Sequence, residues 1–169
     1  MKQVLNLLKG FKGHPSHPPL TGVSIGAYTV GTVMLVIGSF GLLEEKMAWG
    51  GFLAIATGLI SAIPTVLTGF LDFLEIPRGT GMRRTANLHW VVMVLSTSCY
   101  LVTEVLAQEI FDTGVVSLPA TLLSVVAFGL LSLGGWFGGA IVFVYGMRVE
   151  NELPALPEVE AIKPKLSKD

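Results

Sequence analysis

LTGVSIGAYTVGTVMLVIGSFGLL, residues 20–43, contains no charged side chain in 24 consecutive positions. At about 1.5 Å per residue a helix of that length covers a hydrocarbon layer of about 30 Å, so the run predicts a membrane span. The rest of the chain agrees with it: 51% of the 169 residues are hydrophobic and only 14% are charged. A soluble domain of this length carries more charge and a clearer polar face on each element.

Three further apolar segments follow, at residues 47–71, 86–106 and 118–147. Pro64 lies inside the second and is expected to kink it, which neighbouring helices tolerate in a membrane. The fourth is long enough to tilt or to project beyond the bilayer. With short connections between spans, the expected fold is all-α: an integral membrane up-down bundle of four antiparallel helices over residues 14–149. No period of self-similarity points to an internal repeat. Residues 1–13 read as a basic amphipathic leader, with Val4, Leu7, Leu8 and Phe11 at helical spacing, and no removable signal peptide is seen. Residues 150–169, punctuated by proline and charge, read as a flexible tail.

Basic residues set the expected orientation, because lysines and arginines close to span ends stay on the cytoplasmic side. Ten of the eleven fall on one side (Lys2, Lys9, Lys12, Arg78, Arg83, Arg84, Arg148, Lys163, Lys165 and Lys168), against Lys46 alone on the other. Both termini are therefore expected to be cytoplasmic. A net charge of −1 gives no sign of nucleic-acid binding, and the single Cys99 excludes a disulfide framework or a CxxC site.

The same topology gathers polar residues at one depth. GHPSHPP, residues 13–19, brings His14 and His17 to the threshold of span one. Asp72 ends span two, and Arg83 and Arg84 lead into span three. His89 lies five residues past Arg84, roughly 7–8 Å deeper along a helix. Tyr145 and Arg148 close span four. All three histidines thus fall in one layer, where ionisable groups are functional candidates by default.

Imidazole nitrogen is the usual axial ligand of haem and binds zinc, copper or iron. Helices one and three are diagonal in such a bundle and lie roughly 11–14 Å apart, so His17 and His89 are candidates to grip the iron of haem b from its two faces. Gly22, Gly26 and the glycines of GGWFGG (Gly134, Gly135, Gly138, Gly139) would let a flat ring or a partner helix approach, with Gly135 a candidate cofactor contact. Arg83 or Arg84 would pair with the propionates. A second chemical reading brings His14, His17, His89 and Asp72 onto one transition-metal ion, although HPSH straddles Pro15 rather than a helical face. A structural reading stays open as well: the first two histidines donate to loop carbonyls while Pro18 and Pro19 start the helix, Asp72 pairs with Arg83, Arg84 or Arg148, and His89 anchors at the interface beside Trp90.

The sequence holds no nucleophile–base arrangement, phosphate loop or nucleotide signature. Glu104, Glu109 and Asp112 read as a solvated rim on the opposite side. No span carries a charge at its midpoint, and the chain lacks the paired broken helices of a transporter. Two functional classes remain: a haem- or metal-carrying electron-transfer component, and an accessory subunit of a larger respiratory or photosynthetic complex, lending a histidine to another chain's pigment.

GHPSHPPLTGVSIGAY, LTGFLD at the end of span two, NLHW, and GGWFGGAIVFVYGMRV closing span four together resemble a family of small bacterial four-helix membrane proteins catalogued as domain of unknown function 2231. The likeness covers residues 13–149. It implies a multi-pass protein of the bacterial inner membrane with its polar motifs on one side. Some members are fused to Rieske iron–sulfur domains, which implies redox company. This chain has Val23 and Ser24 where many relatives have a proline, and it lacks the Cys and His pairs of a Rieske site, so a Rieske-type partner would be another chain. The matched residues are His14, Pro15, His17, Pro18, Asp72, His89, Gly134 to Gly139 and Tyr145 to Val149. The family supplies no established ligand.

Overall fold

The computed structural model of the chain describes residues 10–11 and 14–149, so the expectations for the leader and the tail fall largely outside the described residues. A two-residue strand pair, β1 (Gly10–Phe11) and β2 (His14–Pro15), comes first. Four long helices follow: α1 (His17–Ser39), α2 (Glu44–Glu75), α3 (Gly81–Leu106) and α5 (Leu118–Phe143). A 3-10 turn (Ala107–Glu109) and the one-turn α4 (Ile110–Thr113) prolong α3. All four long helices, α3 with its prolongation, are long and apolar enough to cross a membrane.

Local chemistry explains where each helix begins and ends. Pro18 and Pro19 occupy the first turn of α1, where a missing N–H costs nothing, so the helix starts three residues before the apolar run and takes in His17. Glu44 and Glu45 form the first turn of α2, a favourable place for negative charge, so the helix starts three residues before the apolar segment. Thr80 caps α3 by accepting from the Arg83 N–H at 3.1 Å. At the end of α5, Gly146 adopts φ +68, its N–H reaches Val142 O, and the next N–H, of Met147, reaches Ile141 O, both at 3.1 Å. This left-handed termination stops the fourth helix short of 147 and turns Arg148 back over the bundle end.

α1 packs along α2 and α3 along α5, giving two antiparallel hairpins; α1–α5 and α2–α3 meet over smaller areas, leaving α1 and α3 on a diagonal. Within the first hairpin Gly31 and Gly51 face each other so closely that a Cβ on either would lie 3.1 Å from the other's carbonyl oxygen. Across the diagonal Tyr28 and Tyr100, 1% and 0% exposed, stack at 4.1 Å with an interplanar angle of 2°.

That near-parallel stack is the centre of a two-fold relation between the hairpins, contrary to the absence of a repeat expected from the sequence. Five of the six buried residues of α1 have buried counterparts along α3 and its prolongation: Ser24 and Ser96, Tyr28 and Tyr100, Gly31 and Thr103, Leu35 and Ala107, Gly38 and Ile110, each pair 72 positions apart (100 minus 28); the sixth, Thr32, has the partly buried Glu104 as its counterpart. Five of the eight buried residues of α2 match α5 in the same way: Gly51 and Ala120, Ile55 and Ser124, Gly58 and Ala127, Ala62 and Leu131, Thr65 and Gly134, each pair 69 apart (134 minus 65). First helices run parallel to each other, as do second helices, so the axis lies along the bundle.

Candidate functional site

The two-fold relation extends to the histidines, because His17 and His89 are also 72 positions apart (89 minus 17). His17 opens α1, and its Nδ1 lies 3.0 Å from the Thr65 carbonyl oxygen of α2. His89, two turns into α3, places Nδ1 2.8 Å from the Gly134 carbonyl oxygen of α5. A carbonyl only accepts, so in each ring the hydrogen sits on Nδ1 and the neutral imidazole keeps a lone pair on Nε2. Neither Nε2 has a hydrogen-bond partner among the described residues.

One turn beyond each acceptor carbonyl is a glycine on which the ring lies. A Cβ at Gly69 would come within 2.6 Å of His17 Cε1, and one at Gly138 within 3.1 Å of His89 Cε1. The rings are therefore wedged by close packing as well as tethered by hydrogen bonds. They lie within electrostatic reach of each other, and His17 within reach of Asp72. Two imidazoles on diagonal helices, each with Nδ1–H committed to a carbonyl, have the outer-shell arrangement that orients histidine for metal ligation through Nε2.

Other residues expected at the site have different duties. His14 is exposed, in β2, where its backbone pairs with Phe11 ahead of the helix. Asp72, 8% exposed, is taken by Arg148: Nε at 3.2 Å and Nη2 at 2.8 Å bond Oδ1, and Nη2 also reaches Glu75 Oε2 at 2.8 Å. The convergence of His14, His17, His89 and Asp72 on a single ion is accordingly not found: among the described residues no three His, Cys, Asp or Glu side chains assemble into a group able to hold a metal. Extended backbone keeps His14 off the helical layer, and the ion pair occupies Asp72.

Arg83 closes the end of α2, donating from Nη1 to the carbonyls of Phe73 (2.8 Å) and Ile76 (3.1 Å) with its guanidinium 3.6 Å from the Phe73 ring centroid. That leaves Arg84, which is exposed, as the freer of the two arginines. Gly135 is exposed, and, like Gly22 and Gly26, has open space where a Cβ would stand; it is Gly138, not Gly135, that touches a histidine. A cleft of about 210 Å³ at this end is lined by Glu75, Ile76, Pro77, Met82, Met147 and Arg148, and by neither histidine.

Glu104 departs most from expectation. Glu109 and Asp112 are exposed as a solvated rim requires, but both carboxylate oxygens of Glu104 are buried and lack a hydrogen-bond partner. α3 ends at Leu106, but the 3-10 turn and α4 carry the candidate span on to Thr113, so Glu104 lies within that span rather than at its rim. The repeat itself carries a signal that was legible in the residues: His-x6-Ser-x3-Tyr occurs as HPPLTGVSIGAY from His17 and again as HWVVMVLSTSCY from His89.

Comparison with known proteins adds one match. The model of a family described as predicted membrane protein (DUF2231) matches residues 13–151. No curated protein and no solved structure matches the chain.

Proposed function

This chain belongs to the DUF2231 family of predicted membrane proteins, and within that frame we propose that it is a small electron-transfer component holding haem b through Nε2 of His17 and His89. The observation that carries the reading is the matched pair of imidazoles on diagonal helices, each anchored at Nδ1 by a carbonyl of its own hairpin and each free at Nε2. Two protein ligands are too few for a zinc site, which takes three or four from the protein. They suit an iron whose other four positions are already filled by a macrocycle.

Haem held this way supplies one-electron exchange. The chain's own contribution is to fix the tautomer, raise the basicity of Nε2 through the Nδ1–H bond, and hold the rings in register through the two-fold scaffold. Arg84, exposed at the same end, is the available partner for a propionate. The distribution of basic residues supports a reading in which this layer faces the cytoplasm from the bacterial inner membrane, where a Rieske-type or other redox subunit would exchange electrons with it.

Detergent-solubilised full-length protein, examined by absorption spectroscopy with metal analysis, tests the reading. A Soret band that shifts on dithionite reduction is expected, and His17→Ala or His89→Ala should each abolish it. A colourless, metal-free preparation that co-purifies with other membrane subunits would sink it in favour of the accessory role.

A further inference from the structure

The two-fold relation isolates one position where the hairpins differ in charge. Four residues after Tyr28 stands Thr32, whose hydroxyl oxygen is 3.0 Å from the Tyr100 hydroxyl. Four residues after Tyr100, at the counterpart position, stands Glu104. Residues four apart share a helical face, so the register puts this carboxyl on the side of α3 that carries the tyrosine stack. Both of its oxygens are buried without a partner, as is Oγ1 of the adjacent Thr103.

We propose that Glu104 is a proton-binding carboxyl within the membrane-spanning part of the bundle, held as the neutral acid. An ionised carboxylate without hydrogen-bond donors or a counter-cation is far costlier to bury than the acid, and more so between apolar helices facing lipid. Among the described residues no hydrogen-bond donor reaches either of its oxygens. The protonated form carries its own donor as well as an acceptor, so it needs no counter-cation where it is buried. The other acids toward this end, Glu44, Glu45, Glu109 and Asp112, are exposed and make internal controls.

Dicyclohexylcarbodiimide added to the full-length protein in lipid bilayers at neutral pH tests the proposal. The acid's O–H adds across a C=N bond of the carbodiimide, giving an O-acylisourea that rearranges to a stable N-acylurea with no other reactant. Peptide mass mapping should find Glu104 modified about a hundredfold more than the four exposed acids, since an exposed carboxyl with a pKa of about 4 is almost wholly ionised there. Infrared spectroscopy of the unlabelled protein should show the carbonyl stretch of a protonated carboxyl. E104Q should remove both signals. Labelling no greater at Glu104 than at the exposed acids, or an infrared spectrum with carboxylate bands alone, overturns the proposal; the infrared result on the unsubstituted chain decides the matter even if E104Q does not fold.

Discussion

The two hairpins are built on one frame and differ in what holds them shut. In the first, hydroxyls link the helices: Ser24 Oγ lies 2.9 Å from Ser61 Oγ and 3.3 Å from Thr65 Oγ1. In the second, the counterpart Ser96 donates directly to the Ala127 carbonyl at 2.9 Å, and Met93 fills the space over Gly134. Positions that coincide, His17 with His89 and Tyr28 with Tyr100, form the shared layer and centre. Positions that differ carry single-hairpin chemistry: buried Asp72 corresponds to Ile141, and Thr32 to Glu104. A membrane bundle gains little from burying apolar surface against itself, because lipid is as apolar as leucine, so close packing and hydrogen bonds hold the helices together. The equivalence should therefore be visible in the energetics of small changes at matched sites.

The largest effect is expected at the centre. Tyr28→Ala and Tyr100→Ala should each cost about 3–5 kcal/mol in unfolding from detergent micelles, and by similar amounts, since each empties half of one buried stack. A large difference between them would break the two-fold account of the core. Next come the glycines beneath the imidazoles: Gly69→Ala, where the added Cβ would sit 2.6 Å from His17, should cost about 1–3 kcal/mol, and Gly138→Ala, at 3.1 Å from His89, about 1 kcal/mol. Arg148→Gln should cost about 1.5 kcal/mol by stripping Asp72 of its charged donor, kept low because the Arg148 side chain is 35% exposed. Its measured cost sharpens the contrast, as the second hairpin has Ile141 at that register and no corresponding pair. The smallest change is expected at Gly26→Ala and Gly135→Ala, where the new methyl meets open space and helix propensity gains about 0.5–1 kcal/mol. Destabilisation there would mean that these glycines face a partner helix.

Much of the fold was legible because a long uncharged run is decided by the solvent it must cross, whatever its detailed packing. The proline-led start of α1, and Arg148 as one of three possible partners of Asp72, also followed from local chemistry and topology. His14 did not, since nothing in the spacing of GHPSHPP tells that Pro15 belongs to an extended pair and His17 to a helix. The repeat escaped because few residues recur at matched positions of the first helices: His, Ser and Tyr, and two valines (Val30 with Val102, Val33 with Val105) of a kind common in any apolar span. Elsewhere small residues substitute for one another, as Gly51 with Ala120 and Gly58 with Ala127, while lipid-facing positions need only be apolar. Glu104 was misread for a geometrical reason: a helix that continues through a 3-10 turn looks, in sequence, like one that has ended.

The central claim is that His17 and His89 are equivalent ligands with Nε2 available to one iron. Absorption spectra of the full-length protein and the two single alanine variants, recorded before and after dithionite, test it most directly. The account predicts a reducible Soret band in the parent and its loss to the same extent in both variants. A band that survives either substitution, or its absence from a metal-free parent, would contradict it.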